Sequence, residues 1–347
     1  MKKLSVALMM VLLVATSASA TVTWRASHSA MPGTAQAQIV DDFAETVRVL
    51  SQGEFIIETF AAGVLFPVFD HFDHLQNGVI EMAMVFSANW AGRHPGFLLT
   101  TRPGCPIHTF AEGAYLEQRL APFFERLYAQ FGMTHLGHFM VSPIYEQLLS
   151  NVPINTIEDL QGVRIRTSGI GARFYNELGA TSVSLPAPEI AVALQLGNIE
   201  AAEWTFWDEN MRMNLHEVVT YVVDPAFQNG AGEYFPLVVN TAAWEALPEH
   251  LQNIVLVARD QARFRSAMIY VYELQAREVW REMPHITITR WSPEDEAKAR
   301  AVGQRLVREV AEDLGEEGLW YLEVYRNVLW SLGYREEAIN LGFVPEE

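Results

Sequence analysis

Short runs that alternate apolar and polar residues recur along this chain, separated by longer runs with apolar residues at helical spacing. The alternating runs predict strands at residues 22–26, 54–60, 80–86, 163–167 and 285–289. The longer runs predict helices at residues 34–50, 68–76, 189–196 and 248–283. Strands that alternate with helices imply a parallel or mixed sheet with helices on both faces, so the predicted class is α/β.

The longest predicted helix, at residues 248–283, exceeds the width of one domain. It would extend for about 54 Å at 1.5 Å per residue. Pro248 lies in its first turn, where a missing N–H is tolerated. A further helix is predicted after Ser292, a favourable cap that is followed by Pro293 and acidic residues.

The N-terminus has the pattern of a signal peptide over residues 1–20. Lys2 and Lys3 precede an apolar run, and Ala18 to Ala20 fits a small-residue cleavage site. The apolar run is too short to span a bilayer. No cysteine follows the run, so a lipid anchor is not expected. The mature protein is predicted to begin at Thr21 and to be exported.

The charge of the chain narrows the class of partner. Loss of Lys2 and Lys3 would take the formal net charge from −18 to −20, which argues against nucleic acid or an anionic membrane as a partner. A small anion is still compatible with this charge, because a local arginine can outweigh a distant field. The single cysteine, Cys105, excludes an internal disulfide framework.

Two groups of reactive side chains are better explained by ordinary structure than by catalysis or metal binding. Cys105 and His108 could form a catalytic pair, but no third member is identifiable, and the prolines and glycine around them favour a loop. The segment from Asp70 to His74 has metal-ligand residue types at helical spacing. Its side chains would point in several directions, so a solvated helix face is preferred.

The segment from Asn155 to Leu215 holds the clearest candidate for a binding site. Thr156 is a predicted N-cap of a short helix that Gly162 ends. Arg164 and Arg166 follow on a strand and share a face, because the strand period is two. A guanidinium at a strand end suits a carboxylate, since its fork can make two parallel hydrogen bonds. A solvated strand-end arginine is the alternative.

The run from Glu203 to Asp208 places aromatic and acidic residues side by side. Its sequence, Glu-Trp-Thr-Phe-Trp-Asp, includes Trp204 and Trp207. Such density is typical of ligand pockets, where apolar walls surround a few polar groups. A packed core edge is the plain alternative. An exported hydrolase that uses Glu203 and Asp208 as paired carboxylates is the rival function, although no motif supplies a nucleophile or an oxyanion site.

In order and spacing, several segments together resemble the extracytoplasmic solute-binding proteins of tripartite ATP-independent periplasmic (TRAP) transporters. The resemblance covers nearly the whole mature chain. The segments that carry it are Ala61–Leu65, Leu75–Met82, Thr156–Arg166, Leu178–Ala180, Ala193–Gly197 and Val239–Pro248. The Glu203–Trp204 pair and the aromatic C-terminal helix resemble the branch that binds 2-oxo acids or lactate.

This resemblance implies a two-domain periplasmic binding protein fold, with hinge strands and a long helix that spans both domains. Domain I would comprise residues 21–143 and 226–258, and domain II residues 144–225 and 259–292. Residues 293–347 would form C-terminal helices. The implied function is delivery of a small carboxylate, of the 2-oxo acid or hydroxy acid type, to TRAP permease subunits from the periplasm, without catalysis. A stand-alone periplasmic sensor would have the same sequence features.

The resemblance also implies roles for individual residues. Arg166 would pair with the ligand carboxylate, and Glu203 with the backbone of Trp204 would help to hold a metal ion. The sequence departs from the branch at two further ion or ligand positions, which fall on Tyr145 and on Gln228 or Asn229. We therefore expect no cofactor, with a sodium or calcium ion beside the ligand as the alternative.

Further residues are expected to line the pocket. Some follow the predicted strand at residues 80–86, where a binding loop belongs. The remainder occupy positions that the family assigns to the pocket, or belong to the run from Glu203 to Asp208. Besides Arg166, Glu203 and Trp204, the predicted ligand-binding residues are Phe66, Asn89, Trp90, Tyr145, Trp207, Asp208 and Asn240. Ser87 is a weaker candidate, and ordinary loop packing is the alternative for each loop position.

The C-terminal tail, residues 316–343, is rich in large apolar side chains. They include Leu319, Trp320, Leu322, Val324, Tyr325, Val328, Leu329, Trp330 and Tyr334. If they are exposed they would form an association patch, and the resembling branch can dimerise through its C-terminal helices. A homodimer is therefore predicted. A helix packed wholly on its own chain is the alternative.

Overall fold

The computed structural model describes residues 21–142, 146–228 and 232–344. Its strands are β1 (Val22–His28), β2 (Phe55–Phe60), β3 (Met82–Met84), β4 (Met133–Ser142), β5 (Leu148–Ser150), β6 (Arg164–Arg166), β7 (Thr181–Val183), β8 (Ala201–Glu203), β9 (Tyr221–Val223), β10 (Gly232–Asn240) and β11 (Thr287–Thr289). Its α-helices are α1 (Ala35–Leu50), α2 (His71–Gln76), α3 (Phe110–Ala129), α4 (Gly169–Glu177), α5 (Ile190–Gln195), α6 (Trp207–Arg212), α7 (Thr241–Ala246), α8 (Glu249–Arg281), α9 (Pro293–Asp313), α10 (Glu316–Ser331) and α11 (Arg335–Asn340).

The strands form two separate mixed sheets. The first sheet has the order β2-β1-β3-β10-β4, and the second has the order β11-β9-β5-β8-β6-β7. In the first sheet β1 runs parallel to β2 and β3, whereas β10 is antiparallel to its neighbours. In the second sheet β6 runs parallel to β7 and β8. Each sheet takes strands from distant parts of the chain, which is the pattern of a two-domain α/β protein.

The chain passes between the two sheets more than once. Strands β1 to β4 belong to the first sheet and β5 to β9 to the second, after which β10 returns to the first and β11 to the second. The boundaries at residues 143, 225, 258 and 292 stay a prediction.

Helix α8 is the long helix that the sequence predicts, and it contributes to two hydrophobic cores. It has 33 residues, or about 50 Å of length. Near its start, Leu251 and Val255 pack in the core beside the first sheet, with Phe43 of α1. Near its end, Ala276 and Trp280 pack in a core beside the second sheet. The predicted α/β fold with a long helix across both halves is thus confirmed.

The C-terminal helices pack on the protein itself. Tyr321, Leu322, Tyr325, Val328 and Leu329 of α10 are at most 4% exposed, in the same cluster as side chains of α3 and α9. The expected association patch on the tail is therefore wrong for these residues, because their own chain covers them. Trp320, Val324 and Trp330 are half-buried against the same cluster, and Leu319 is 52% exposed.

Two local expectations need correction. Thr156 does not cap a helix: the turn is a 3₁₀ helix at Glu158–Leu160, with Ile157 in the cap position and no side-chain cap hydrogen bond. Asp159 Oδ2 accepts hydrogen bonds from the backbone N–H groups of Asn155 and Thr156, at 2.8 and 2.9 Å. The predicted helix at 68–76 begins as a 3₁₀ turn and becomes α-helical only from His71. By contrast, Ser292 caps α9 as expected, since its Oγ accepts from the N–H of Asp295.

None of the helices within the described residues combines the length and the apolar content that a membrane span needs.

Candidate functional site

A cavity of about 220 Å³ lies between the two halves of the protein. Most of its lining is apolar, and the polar side chains are concentrated on the side of the second sheet. The first half contributes Ser29, Met31, Ala62, Gly63, Pro67, Val68, Phe69, Phe86, Asn89 and Phe235. The second half contributes Glu146, Arg166, Ser168, Pro186, Ala187, Pro188, Glu203, Trp204 and Glu209. Apolar walls with a few convergent polar groups are the usual composition of a ligand site.

Arg166 is the cationic residue of this cavity. It ends β6, the strand next to the β7 edge of the second sheet, and is paired with Val183 on one side and Ala202 on the other. Only 5% of the residue is exposed. Its Nε donates to the Leu185 carbonyl at 3.0 Å, and Nη1 donates to the Glu203 carbonyl at 2.8 Å. These bonds hold the guanidinium plane in one orientation, which is what a planar carboxylate requires.

Arg164, on the same strand, has a different environment. Its Nε lies 3.0 Å from Glu200 Oε2, and its Nη2 donates to the Gly197 carbonyl at 2.7 Å. The Arg164 side chain is 44% exposed. The solvated strand-end arginine that the sequence left as an alternative is thus Arg164, whereas Arg166 is buried at the cavity.

Glu203 and Trp204 lie beside Arg166, as the motif order suggests. Glu203 ends β8 and is 4% exposed. The Arg166 guanidinium carbon lies 4.9 Å from the centre of the Trp204 ring. A guanidinium over an indole face is an attractive arrangement. Trp204 Nε1 is buried without a hydrogen-bond partner among the described residues.

Behind the cavity lies a group of buried oxygen-bearing side chains. Tyr175 of α4 donates a 2.9 Å hydrogen bond to Gln228 Oε1. Its pKa is raised well above 10, first by burial and then by the negative charges of Glu203 and Glu146. Both carboxylates therefore lie close to the Tyr175 hydroxyl, and both line the cavity.

The carboxylates that line the cavity show whether this site has suitable ligands for a metal ion. Sodium and calcium prefer oxygen ligands, and the two cavity carboxylates, Glu146 and Glu203, have that chemistry. Within the described residues no group of three or more His, Cys, Asp or Glu side chains is placed to hold a metal. Glu146 and Glu203 thus provide two oxygen-bearing side chains of the kind that these ions prefer.

Glu209 lines the cavity but was not among the residues predicted from the sequence. It lies on α6, lines the cavity and is 3% exposed. Burial raises its pKa to about 7, although hydrogen bonds from Gln36, Thr205 and the Met31 backbone oppose the rise. Met31 and Gln36 belong to the first half of the protein, so this carboxyl joins the two halves at the edge of the cavity.

Two other predicted residues of this run, Trp207 and Asp208, do not line the cavity. Trp207 packs edge-on against Trp280 of α8, with ring centres 5.4 Å apart. Asp208 accepts a 2.7 Å bond from Arg212, and its backbone N–H donates to Glu273 Oε2 at 2.8 Å. The packed core edge is the right description of Trp207. The hydrolase alternative loses its basis, because Glu203 and Asp208 do not face one space.

Of the predicted ligand-binding residues in the first half of the protein, some line the cavity and others do not. Asn89 lines the cavity, but Trp90 is 2% exposed and packs against Phe72 at a ring distance of 5.2 Å. Asn240 caps α7, with Oδ1 accepting from the Ala243 N–H and Nδ2 donating to the Leu75 carbonyl. Ordinary packing and capping therefore explain Trp90 and Asn240.

The remaining candidates lie beside the cavity or beyond the described structure. The ring centre of Phe66 lies 4.1 Å from that of His74, with the two ring planes tilted by 35°, and Phe66 is next to the lining residue Pro67. Ser87 is buried, with Oγ 2.5 Å from the Tyr128 hydroxyl. Tyr145 and Asn229 lie outside the described residues.

The two reactive groups considered from the sequence have structural roles. Burial raises the pKa of the Cys105 thiol, while His108 bonds the Pro106 carbonyl at 2.9 Å. His71 is buried against Ser27 at 2.8 Å, and Asp73 pairs with Arg93. The preferred loop and helix-face interpretations are therefore adequate, except that His71 points into the protein.

Comparison with known proteins identifies the family. The profile of bacterial extracellular solute-binding protein family 7 (DctP) matches residues 26–313. A curated relative, the monocarboxylate 2-oxoacid-binding periplasmic protein of Nostoc sp., is 28% identical over 223 residues. That match covers 63% of this chain and 60% of the relative. The aligned region thus spans less than two thirds of the relative's length.

Solved structures of TRAP solute-binding proteins share the fold. One from Pseudoalteromonas atlantica, with bound sodium and pyruvate, matches with a TM-score of 0.80 and 23% identity, over 93% of this chain and 100% of that one. One from Bordetella bronchiseptica, a mixed-occupancy dimer with calcium and picolinate, matches with a TM-score of 0.78 and 22% identity, over 92% and 96%. These matches confirm the fold that the resemblance implies. Because the family 7 profile matches most of the length of this chain, the chain belongs to family 7 of the bacterial extracellular solute-binding proteins.

Proposed function

We propose that this protein is a periplasmic receptor that captures a small carboxylate and delivers it to the membrane subunits of a TRAP transporter. The ligand would be of the 2-oxo acid or 2-hydroxy acid type. Binding would occur without catalysis, in the cavity between the two halves. The N-terminal residues 1–20 would act as the export signal.

The observation that carries this proposal is the buried guanidinium of Arg166 at a small, mostly apolar cavity. A charged hydrogen bond gains strength where water is excluded, and arginine matches a carboxylate with two parallel bonds. The volume of about 220 Å³ is below the roughly 300–1,000 Å³ typical of sites for drug-sized ligands. A ligand with few heavy atoms fits this space best.

The relatives support the same ligand class. The Nostoc protein is a 2-oxoacid-binding protein, and the Pseudoalteromonas structure holds pyruvate with sodium. The Trp204 face and Phe235 would cover the apolar end of such an acid, while Arg166 holds its carboxylate. Glu209 would bond a hydroxyl or carbonyl oxygen of the ligand at the opposite edge, in its protonated form for a carbonyl.

We further propose that a sodium or calcium ion accompanies the ligand. Glu203, Glu146 and the Trp204 carbonyl would hold it, and the ion would neutralise carboxylate charge beside the bound acid. The ion ligand that the family resemblance places at Tyr145 would then be provided by the neighbouring Glu146, whose carboxylate lines the cavity.

Calorimetry with matched ligands tests the proposal. The purified mature protein would be titrated with pyruvate, lactate and their neutral amides, in the presence of sodium and calcium. We expect stoichiometric binding of the acids and binding of the amides that is weaker by about a hundredfold, because a buried arginine would lose its charged partner. Equal affinity for acids and amides, or turnover of the ligand, would contradict the proposal.

A further inference from the structure

A continuous row of exposed residues runs along α8, away from the side that packs on the two cores. The row consists of Val257, Gln261, Phe264, Met268, Tyr272, Gln275 and Val279, and we name it the outer stripe. Its apolar members are unusually exposed for their size. The exposed fractions are 59% for Val257, 72% for Phe264, 50% for Met268, 51% for Tyr272 and 47% for Val279.

The spacing makes the outer stripe one surface. Successive members are three or four residues apart, and at 100° per residue all of them fall within an arc of about 80°. From Val257 to Val279 the stripe is about 33 Å long. The buried side of α8, which includes Leu251, Ala262 and Trp280, lies on a different arc. Contiguous exposed apolar surface of this kind marks an interaction site in a soluble protein.

The stripe is nearly the same when it is read from either end. Its order is Val, Gln, Phe, Met, Tyr, Gln, Val, with Met268 at the centre. A two-fold axis at Met268 would place Val257 against Val279 of a second copy, Gln261 against Gln275, and Phe264 against Tyr272. Interfaces with two-fold symmetry require such self-complementarity, because one patch serves both subunits.

The charges beside the stripe are compatible with its burial. Asp260 is paired with Arg259 at 2.8 Å and with Arg263 at 2.9 Å, and Arg265 is paired with Asp42. The stripe itself contains no charged residue. Antiparallel helices that cross at about 20° keep contact along their length, so association would cover the apolar row without leaving any of these charges unpaired.

From this self-complementarity we infer that the outer stripe is a homodimer interface, in which α8 packs antiparallel on α8 of a second copy about a two-fold axis at Met268. The site differs from the tail that the sequence suggested, since the tail's large residues are mostly covered by their own chain. The inference does not depend on the identity of the ligand. It places the contact on the helix that joins the two halves, and no residue of the outer stripe lines the cavity.

Oppositely charged variants at the axis provide the sharpest test. Met268→Glu and Met268→Arg each place like charges against each other in a dimer, so each should be monomeric, with self-association weakened by a hundredfold or more. An equimolar mixture of the two should restore a dimer, because the charges become complementary. Light scattering and sedimentation over a concentration series would measure this for the mature protein.

Controls separate association from folding. Leu196→Glu, at an exposed position directly after α5, should leave the dimer as stable as in wild type. Circular dichroism and the ligand-induced rise in melting temperature should match wild type in all variants. A wild-type protein that stays monomeric throughout the concentration series overturns the inference. So does a Met268→Glu variant that still dimerises, or a mixture that fails to restore the dimer.

Discussion

The guanidinium of Arg166 lies 4.9 Å from the centre of the Trp204 ring, while Nη1 of the same arginine donates to the backbone carbonyl of Glu203. One side chain is therefore held through its face and through its edge by two consecutive residues of the second half. This arrangement orients the fork toward the cavity before any ligand arrives. Pre-organisation of this kind reduces the entropic cost of binding.

The first prediction concerns Arg166→Lys. Lysine keeps the positive charge but loses the planar fork and its fit on the Trp204 ring. We expect the affinity for the cognate acid to fall by thirtyfold or more, corresponding to roughly 2–5 kcal/mol for a buried charged contact. Calorimetry would measure the change.

The matched control for this variant is Arg164→Lys on the same strand. Arg164 is paired with Glu200 at the surface, so its replacement should alter affinity by less than about threefold, given the small value of exposed ion pairs. Equal losses of affinity in the two variants would indicate a general effect on the strand, and not a specific pairing of Arg166 with the ligand carboxylate.

The second prediction concerns pH and Glu209. Its pKa is about 7 in the folded protein against an ordinary 4.5, so the folded state holds this proton more tightly than the unfolded chain. Its contribution to stability is therefore fully present below pH 4.5 and is lost as the pH rises through 7. A shift of this size corresponds to roughly 3 kcal/mol.

Glu209→Gln should remove this part of the pH dependence, since glutamine resembles the neutral acid. Melting temperatures measured from pH 5 to 8 should fall by several degrees less in the variant than in wild type. A residual slope is expected from Glu273, whose pKa burial raises to about 8. Replacement of the exposed Glu316 by glutamine is the control, and an equal change there would count against the assignment.

The third prediction concerns the ion. If Glu146 and Glu203 share a sodium or calcium ion with the ligand, calcium should raise the affinity of wild type for pyruvate. Glu146→Gln should reduce that enhancement by about tenfold or more, because a neutral amide is a weaker ligand for a hard cation. Titrations with and without chelator would measure it.

Asp208→Asn is the control for the ion, because Asp208 carries the same charge but lies away from the cavity and pairs with Arg212. Calcium should act on this variant as it does on wild type. An unchanged calcium effect in Glu146→Gln would remove Glu146 from the ion site.

The fourth prediction concerns the C-terminal helices. The Tyr321 hydroxyl donates to the Leu99 carbonyl at 2.8 Å and accepts from Arg102 Nη1 at 3.1 Å. Arg102 is only 1% exposed. Tyr321→Phe should therefore lower the free energy of unfolding by about 1–3 kcal/mol, because it removes one of the two hydrogen bonds that the buried Arg102 Nη1 donates.

Urea denaturation would measure this loss, with Tyr115→Phe as the control. Tyr115 is 44% exposed, so its hydroxyl contributes little to folding. Similar denaturation midpoints for wild type and Tyr321→Phe would show that α10 adds little stability through this contact.

The sequence allowed the elements and part of the site to be predicted, but not the directions of side chains. Arg166, Glu203 and Trp204 were recognisable because strand ends and motif order place them. Asp208 and Glu209 are adjacent, and at 100° per residue on α6 only one of them can point into the cavity. Residue type alone favoured neither, so Glu209 was missed and Asp208 was chosen.

Because the sequence does not give the directions of side chains, other predicted site residues also differ from the structure. Tyr145 was selected by ungapped position and lies outside the described residues, whereas the adjacent Glu146 lines the cavity. Trp90 and Asn240 have residue types that suit a pocket as well as a core edge or a helix cap. For the tail, the apolar pattern predicted helices correctly, but which surface would cover them depends on contacts with α3 and α9 that are distant in sequence.

The placement of α8 has a consequence for how the protein unfolds. Leu251 and Val255 are integral to one core and Ala276 and Trp280 to another, so neither half can lose its packing without releasing a segment of one continuous helix. Helix propagation is cooperative, and the loss of one end would weaken the other. The two halves are therefore expected to melt as a single cooperative unit, with equal calorimetric and van 't Hoff enthalpies, even though each half has its own sheet.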